Sequence, residues 1–447
     1  MGVPVYRGPF GTAQAERLLW RAGFGPRPGE AEALAKLGLQ GAVHQLTNPG
    51  FEKLVGPKPH DDKGHPLAPY DAWGHDHCWW LDRMVRTSRP LVERMTLVWH
   101  DWFATSNDGV GSQKLMLEQN ALFRKHALAS FHDLLLDVTA NPAMLLWLNG
   151  TQNEKGEPNE NYGREMMELF TLGADRGAYT EQDVREQARS LTGWTNRWSQ
   201  GRGDYDFHFD KTQHDTGVKR VFGRSGTFDW RGACKLCLEN PKHASFFVTK
   251  LWSYFVPVPP NGETLSALET LYKSDYQVKP VVAAILTHPA LYLGPRMVKP
   301  PIVLTAGLLR RIKAGITTTD WAWIGQISGQ QLFYPPNVAG WDDTRWLDTA
   351  TFRGRFIGAQ RIVGDKKRAL DPGKAKETAT AEEVLTRALE FWNQPELSEG
   401  THYQLMHFAK RAIADAGKDD WRQKQYPVMV EQALRQLIAV SPDLQTA

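Results

Sequence analysis

The stretch LNGTQNEKGEPNENYGREMMELFTLGADRGAYTEQDVREQARSLTGW, residues 148–194, decides how the rest of the chain is interpreted. A polar loop leads into a short amphipathic helix that carries several carboxylates and an arginine. The helix breaks at a glycine, and a second helix follows. Because Asn, Glu, Asp and Arg stand here beside core-forming residues, the segment is either a buried polar network that fixes the fold or a chemical site.

Composition limits the class of protein. The chain has 447 residues, of which 41% are hydrophobic and 23% charged, which is typical of a soluble globular protein rather than a disordered one. The formal net charge of +3 is too close to neutral for nucleic acid or an anionic membrane to be the main partner. No run approaches the roughly 18 apolar residues of a membrane span.

The location of the chain is predicted from its N-terminus and its cysteines. The first 25 residues lack the apolar core of a secretory signal, so the chain as written is predicted to be cytoplasmic, or exported if a leader has been removed. Three cysteines cannot form a disulfide framework. Cys234 and Cys237 form a C-x-x-C pair within a predicted helix, which favours packing over metal or redox chemistry.

Apolar periodicity predicts a predominantly α fold, a multi-helix globular body with long ordered loops. Helices are expected over residues 12–23, 28–37 and 71–87, and Pro90 suits the first position of another. The aromatic stretch that follows the second helix of the opening segment predicts a short β-hairpin near residues 205–222. The predicted domains are a helical main domain and a C-terminal helical cap. The ranges are 1–360 for the main domain, with loops at 48–70, 196–232 and 325–356, and 380–447 for the cap.

Several motifs in register resemble the bacterial DUF1800 family. In chain order they are LLWRAGFGP, ERMTLVWHDWFATS, PNENYGREMMELFTLG, YTEQDVREQARSLTGW, HDTGVKRVFG, KLWSYFV and LFYPPNVAGW. The resemblance runs from Ala15 to Phe356 and implies a predominantly helical fold without an established reaction. Many relatives are exported. The family's histidine-asparagine-histidine run is His100–Asp101–Trp102 here, which argues against a paired-histidine metal site.

Glu165 and Glu168 are the predicted catalytic pair. They lie three residues apart on one helix face, along the border of a core side that includes Met166 and Phe170. Two partly buried carboxylates within reach of each other have their pKa values pushed apart, and acid/base hydrolysis uses this arrangement. The same oxygens could instead bind Mg²⁺ or Ca²⁺.

The structural alternative is a polar network in which arginines pair with these carboxylates and lock the two helices together. Asn161 and Arg164 lie one turn before Glu165 and Glu168, and Asp183 completes a capping-box-like start of the second helix. Arg189 lies near the end of that helix and is predicted to pair with neighbouring glutamates.

Other polar residues complete the predicted site. His100 is an auxiliary base or ligand, or a hydrogen-bonded histidine at a helix end. The loops supply predicted substrate contacts, because binding residues concentrate on loops held by a rigid scaffold. These are His214, Asp215, Lys219, Asn337 and Trp341.

The sequence therefore predicts a hydrolase-like enzyme that uses a carboxylate cluster, with carbohydrate or another small polar ligand as its substrate. Carbohydrate is suggested by tryptophans beside Asp and Asn, such as Trp341 next to Asp342. Two alternatives stay open at this stage. One is a non-enzymatic binding or assembly protein with a structural network, and the other is a Mg²⁺- or Ca²⁺-dependent protein that uses the same carboxylates. Oligomeric state is not predicted.

Overall fold

The computed structural model describes residues 2–374, 378–417 and 419–447. In this part of the chain α-helices dominate, and their order follows. They are α1 (Thr12–Arg21), α2 (Glu30–Ala35), α3 (Gly38–Thr47), α4 (His75–Arg86), α5 (Pro90–Trp102), α6 (Asn107–Val110), α7 (Gln113–Lys125), α8 (Phe131–Thr139), α9 (Pro142–Trp147), α10 (Asn161–Glu165), α11 (Glu181–Ser190), α12 (Trp230–Glu239), α13 (His243–Ser253), α14 (Gly262–Lys273), α15 (Val278–Thr287), α16 (Pro289–Leu293), α17 (Pro301–Arg311), α18 (Asp320–Ile327), α19 (Thr349–Val363), α20 (Ala381–Phe391), α21 (Glu399–Ala414), α22 (Asp420–Ala439) and α23 (Pro442–Gln445).

The strands form two small antiparallel hairpins. In the first, β1 (Trp194–Ser199) pairs with β2 (Gly203–Phe209), and the register shifts between Thr195 and Arg197. In the second, β3 (Lys219–Val221) pairs with β4 (Arg224–Gly226). The fold class predicted from sequence is confirmed, and two short hairpins occupy the region where one was expected.

Shorter helical turns complete the secondary structure. Among the described residues three of them are 3₁₀ turns, at Gly150–Gln152, Asp343–Arg345 and Pro372–Lys374. One is a π-helical turn, Met166–Thr171, which directly continues α10. The single helix expected after the polar loop is therefore half α-helix and half π-helix.

Local sequence explains where many helices begin. The Thr180 hydroxyl accepts the N–H of Asp183, and the Asp183 carboxylate accepts the N–H of Thr180, so α11 begins with a capping box. Asn141 caps α9, and α5 begins at Pro90 as its sequence predicts. Because these caps and the fixed φ of proline involve only residues next to each start, the starts are encoded locally.

Contacts divide the chain into two units with interleaved segments. The first contains the residues up to Arg7, Leu91–Gly294 and Phe333–Trp341. Its core is aromatic: Trp99 and Trp102 meet edge to face, and Phe131 packs against both rings. The core fixes α5, the helix that carries His100 and Asp101.

The second unit contains Gly8–Pro90, Pro295–Leu332 and Asp342–Ala447. Its core includes the fully buried Trp80 of α4 and Trp392 after α20. The unit boundaries differ from those of the predicted main domain (1–360) and cap (380–447). That division into a main domain and a cap stays a prediction. No helix among the described residues is long and apolar enough to cross a membrane.

Candidate functional site

The predicted carboxylate pair lies where α10 passes into the π-helical turn. Glu165 is the last residue of α10, and Glu168 lies within the turn. Met166, Met167 and Phe170 are fully buried, whereas both glutamates are half-buried. The short amphipathic segment therefore presents its two carboxylates along the border of the core, as the sequence indicates.

The end of the π-helical turn is held by side chains from other elements. A helix leaves its last carbonyl groups without partners in its own backbone, and here four consecutive carbonyls each accept a side-chain N–H. The pairs are Leu169 with Lys250 Nζ (2.9 Å), Phe170 with Trp102 Nε1 (3.0 Å), Thr171 with His243 Nδ1 (2.8 Å) and Leu172 with Arg176 Nη1 (2.9 Å). The backbone that carries Glu168 is fixed by these contacts.

Arg164 lies at the centre of a cluster of carboxylates. Its guanidinium donates to Glu181 at 2.7 and 2.9 Å and to Glu160 at 3.0 Å, and it lies 3.5 Å from Glu168. Hydrogen bonding to Glu181 holds the pKa of Arg164 above its usual range. The predicted pairing of Arg164 with Glu168 is therefore present, within a larger cluster.

Tyr179 is a second partner of Glu168, and sequence reasoning missed it. Its hydroxyl is hydrogen-bonded to Glu168, and burial together with the Glu168 charge raises the pKa of the phenol. Tyr179 directly precedes Thr180, the capping residue of α11. An aromatic residue just before a capping box is the signal that could have drawn attention to it.

Glu165 differs from its neighbours. Within the described part of the chain its carboxylate forms no ion pair and accepts no hydrogen bond. Burial raises its pKa, and the charge of Glu168 raises it further, against a smaller opposing effect of Arg164. Two carboxylates on adjoining turns thus have opposite surroundings: Glu168 is held by a cation and a phenol, and Glu165 by neither.

The remaining network residues join α11 to the second hairpin and the loop before it. Asp183 accepts the N–H of Phe222 at 2.7 Å, in addition to capping α11. Arg189 donates to Glu186 at 2.8 Å and to Asp215 at 2.7 Å. These contacts correspond to the network interpretation of Asp183 and Arg189.

Asn161 forms its hydrogen bonds with the polar loop before α10 instead. Its amide donates to the side chain of Asn149 at 2.9 Å, and its N–H donates to Asn159. The Asn161–Asn149 hydrogen bond links the two ends of the loop, and Asn149 adopts a left-handed φ of 57°. Asn161 therefore fixes the approach to α10 at the end opposite to Glu165.

The predicted substrate contacts in the loop 196–232 form hydrogen bonds to backbone and side chains close to that loop. His214 is buried, and its Nδ1 lies 2.9 Å from the carbonyl of Thr192. The Lys219 ammonium donates to the carbonyls of Asp215 and Phe228, the latter at 2.8 Å, and burial lowers its pKa. These hydrogen bonds stabilise the turn itself. Substrate binding by His214, Asp215 and Lys219 stays a prediction.

His100 is buried against the segment Phe333–Trp341. Its Nε2 accepts the N–H of Phe333 at 3.1 Å, and Phe333 has a left-handed φ of 68°. Burial lowers the pKa of His100 to about 3, so the ring is neutral at pH 7. Because the lone pair of Nε2 is already used, the geometry favours a role in holding this segment over the predicted role as base or ligand.

Asp101 holds the other end of the same segment. Its carboxylate accepts the N–H of Trp341 at 2.9 Å and the hydroxyl of Tyr254 at 2.8 Å. A Cβ at Gly340, where φ is 92°, would lie only 2.4 Å from the Asp101 carboxylate, so glycine is required there. Asp101 and Trp102 are the two positions at which the chain departs from the family's histidine-asparagine-histidine pattern, and this departure was a signal for the role of Asp101.

The two predicted contacts within this segment differ in exposure. The Trp341 ring is buried and meets His100 edge to face at 5.3 Å between centroids. Asn337 is exposed, and its side chain accepts the N–H of Ala339 at 2.9 Å in a local turn. The packing of Trp341 does not offer a free ring face of the kind that stacks on a sugar.

The described residues contain no group of three or more His, Cys, Asp or Glu side chains arranged to hold a metal ion. Cys78, Cys234 and Cys237 are buried thiols, and burial raises the pKa of each. A raised thiol pKa disfavours the thiolate that metal binding and redox chemistry require.

Comparison with known proteins gives one match. The model of the family described as "Protein of unknown function (DUF1800)" matches residues 17–446. Neither the curated proteins nor the solved structures give a match. The matched range includes every residue of the candidate site.

Proposed function

Since this chain belongs to the DUF1800 family, whose description names no activity, we propose a function from the candidate site itself. The chain is a hydrolase-like enzyme in which Glu165 is the general acid and Glu168 is the partner carboxylate. The observation that carries the proposal is the half-buried Glu165 carboxylate, which has no ion pair or hydrogen bond among the described residues and lies beside the ion-paired Glu168.

The difference between the two environments supports distinct roles. Burial and a like charge favour the protonated form of Glu165, whose pKa is raised. Glu168 instead lies 3.5 Å from the Arg164 guanidinium and is hydrogen-bonded to the Tyr179 hydroxyl. A protonated carboxylic acid beside a second carboxylate supplies a proton donor and a base or nucleophile in one site.

The chemistry then divides between the two groups. Glu165 transfers its proton to the leaving-group oxygen as the scissile bond breaks. Glu168 either takes a proton from the attacking water or attacks the reacting carbon itself. π-Helical turns occur frequently at functional sites, and here the turn sets the spacing between the two carboxylates.

Carbohydrate is the proposed substrate class, because glycosidic bonds are cleaved by a carboxylic acid and a carboxylate acting together. Both groups are partly exposed, so a sugar ring can approach them from solvent. Trp341 does not contribute to this argument, since its ring is buried.

The test is a screen of nitrophenyl glycosides and oligosaccharides with wild-type protein, followed by the Glu165→Gln variant. Loss of the general acid should lower kcat by about 10²- to 10⁴-fold. In the wild type, activity should fall as pH rises through the raised pKa of Glu165. The control is Glu263→Gln, which makes the same change at an exposed position of α14 outside the candidate site and should retain activity.

Full activity of Glu165→Gln on a substrate that the wild type hydrolyses would exclude this assignment. A non-enzymatic binding or assembly role is the second candidate, and the ion pairs of Arg164 and Arg189 favour it because they join neighbouring elements. It predicts that no glycoside in the screen is cleaved and that Arg189→Ala lowers stability.

A further inference from the structure

A groove in the second unit lies between the first three helices and the chain around residue 50. Its cavity volume is about 360 Å³. Its apolar wall includes Leu19 of α1, Leu34 of α2 and Leu46 of α3, all of which are buried in the unit. A volume of this order suits a small organic ligand, since ligand pockets are commonly about 300–1,000 Å³.

The polar end of the groove is formed by Lys53 and Ser88. The Lys53 N–H donates to the Ser88 hydroxyl at 2.8 Å, and the Ser88 N–H donates to the Lys53 carbonyl at 2.8 Å. This reciprocal pair keeps the two residues side by side. In the described ranges, the Lys53 ammonium forms no ion pair and the Ser88 hydroxyl hydrogen has no acceptor, so both can donate to a ligand.

The charge of the groove favours an anion. Glu30 is its one carboxylate, and Arg310 and Arg27 pair with it at 2.8 and 2.9 Å. Burial raises the pKa of Glu30, but Arg310 and Arg27 lower it by more, so the net shift is downward. Because two guanidinium groups compensate the charge of Glu30, the Lys53 ammonium gives this end of the groove a net positive potential.

Phe51 marks the open side of the groove. Its side chain is 97% exposed although it lines the groove, and Pro49 and Gly50 precede it in the chain. A fully solvated phenyl ring is unfavourable, and covering it with apolar surface would stabilise the complex. The ring therefore provides apolar contact area that the folded chain itself does not use.

We propose that this groove binds a small amphiphile with a carboxylate headgroup and an unbranched apolar chain. The headgroup accepts from the Lys53 ammonium and the Ser88 hydroxyl, and the chain lies along Leu34 and Leu46 beneath the Phe51 ring. The proposal concerns the second unit alone and does not depend on the hydrolase assignment of Glu165.

The experiment measures binding of decanoate to the full chain by calorimetry, below the concentration at which decanoate forms micelles. Decyltrimethylammonium and decanol are the charge-reversed and neutral probes. Decanoate should bind more tightly than either. Lys53→Glu should weaken decanoate binding by about tenfold, because a charge-assisted hydrogen bond is replaced by repulsion.

The matched control is Lys58→Glu, which makes the same charge change at an exposed lysine outside the groove and should leave affinity unchanged. Phe51→Ala should also weaken binding, and both Lys53 and Phe51 are exposed, so their variants should fold. The proposal is overturned if decanoate does not bind, if the three probes bind equally, or if Lys53→Glu and Lys58→Glu weaken binding to the same extent.

Discussion

At the scale of single residues, Glu165 and Glu168 show how much a neighbouring cation changes a carboxylate. Their spacing of three residues predicts that they lie near each other. Which of them the arginine holds depends on Glu160 and Glu181, since Arg164 reaches Glu168 from a position set by those two residues. The sequence predicted the pair, and the different environments of its members came from the tertiary structure.

Glu165→Gln should not destabilise the protein. Because burial raises the pKa of Glu165, the folded state favours its protonated form, and its contribution to stability is lost as pH rises through that raised pKa. A neutral glutamine removes this loss at pH 7, so the melting temperature should stay within about 2 °C of wild type or increase. Thermal unfolding at pH 7 checks the prediction.

The same measurement separates the two proposed roles of the site. A decrease of several degrees on Glu165→Gln would indicate that the carboxylate is a structural partner, in contradiction to the contacts described for it. An unchanged melting temperature together with lost activity would identify Glu165 as a group that serves chemistry rather than folding.

At the scale of elements, the π-helical turn Met166–Thr171 depends on donors that lie far away in sequence. Its amphipathic pattern and the glycine at 173 predict a helix and its end. The pattern cannot predict that Trp102, His243 and Lys250 donate to the last carbonyls, because each belongs to a helix that packs there only in the folded unit. Lys250 also lies 4.6 Å from the centre of the Trp102 ring.

Trp102→Phe should destabilise the protein by about 2–4 kcal/mol, because the Phe170 carbonyl loses its partner in a buried place and the smaller ring leaves a gap. Urea unfolding followed by circular dichroism measures this. Trp198→Phe is the matched control, since Trp198 is 67% exposed on β1 and its change should stay within about 0.5 kcal/mol. Equal effects of the two substitutions would contradict the proposed capping role of Trp102.

At the scale of the whole molecule, both units bury histidines in neutral form. Burial lowers the pKa of His77 and His100 to about 3 and that of His243 to about 4. His243 donates through Nδ1 to the Thr171 carbonyl and accepts from the Tyr272 hydroxyl at Nε2, which a second proton would prevent. Protonation of each of these rings is therefore unfavourable in the folded chain.

Stability should consequently decrease in mild acid. The unfolded chain binds protons at these histidines below about pH 6.5, whereas the folded chain does not until its lower pKa values are reached. Each histidine therefore costs about 1.4 kcal/mol of stability per pH unit in that interval. Urea midpoints measured from pH 7.5 to 4.5 should fall steadily.

A pair of variants tests the origin of this pH dependence. His243→Gln should make the fall in the urea midpoint shallower, because one of the rings with a lowered pKa is removed. His402→Gln, at an exposed position on α21, should leave the slope as in wild type. A urea midpoint that does not change between pH 6.5 and 4.5 would refute the assignment of neutral buried histidines.

Local sequence by itself determined the predominantly α fold class and where several helices begin. Apolar spacing at helical period predicted the predominantly α fold, and short-range capping at Thr180 and the fixed φ of Pro90 set where α11 and α5 begin. Those interactions span only a few residues, so they can be recognised from the sequence alone. The family motifs were equally local, and the match over residues 17–446 confirmed the family that they indicated.

Tertiary structure alone decided what each polar side chain does. His100 and Asp101 adjoin in sequence, but their partners Phe333 and Trp341 lie more than 200 residues away. Glu165 and Glu168 look equivalent in the sequence, and only the folded positions of Arg164 and Tyr179 make them different. The physical reason is that hydrogen bonds and charges act over a few ångströms of space, whatever the separation along the chain.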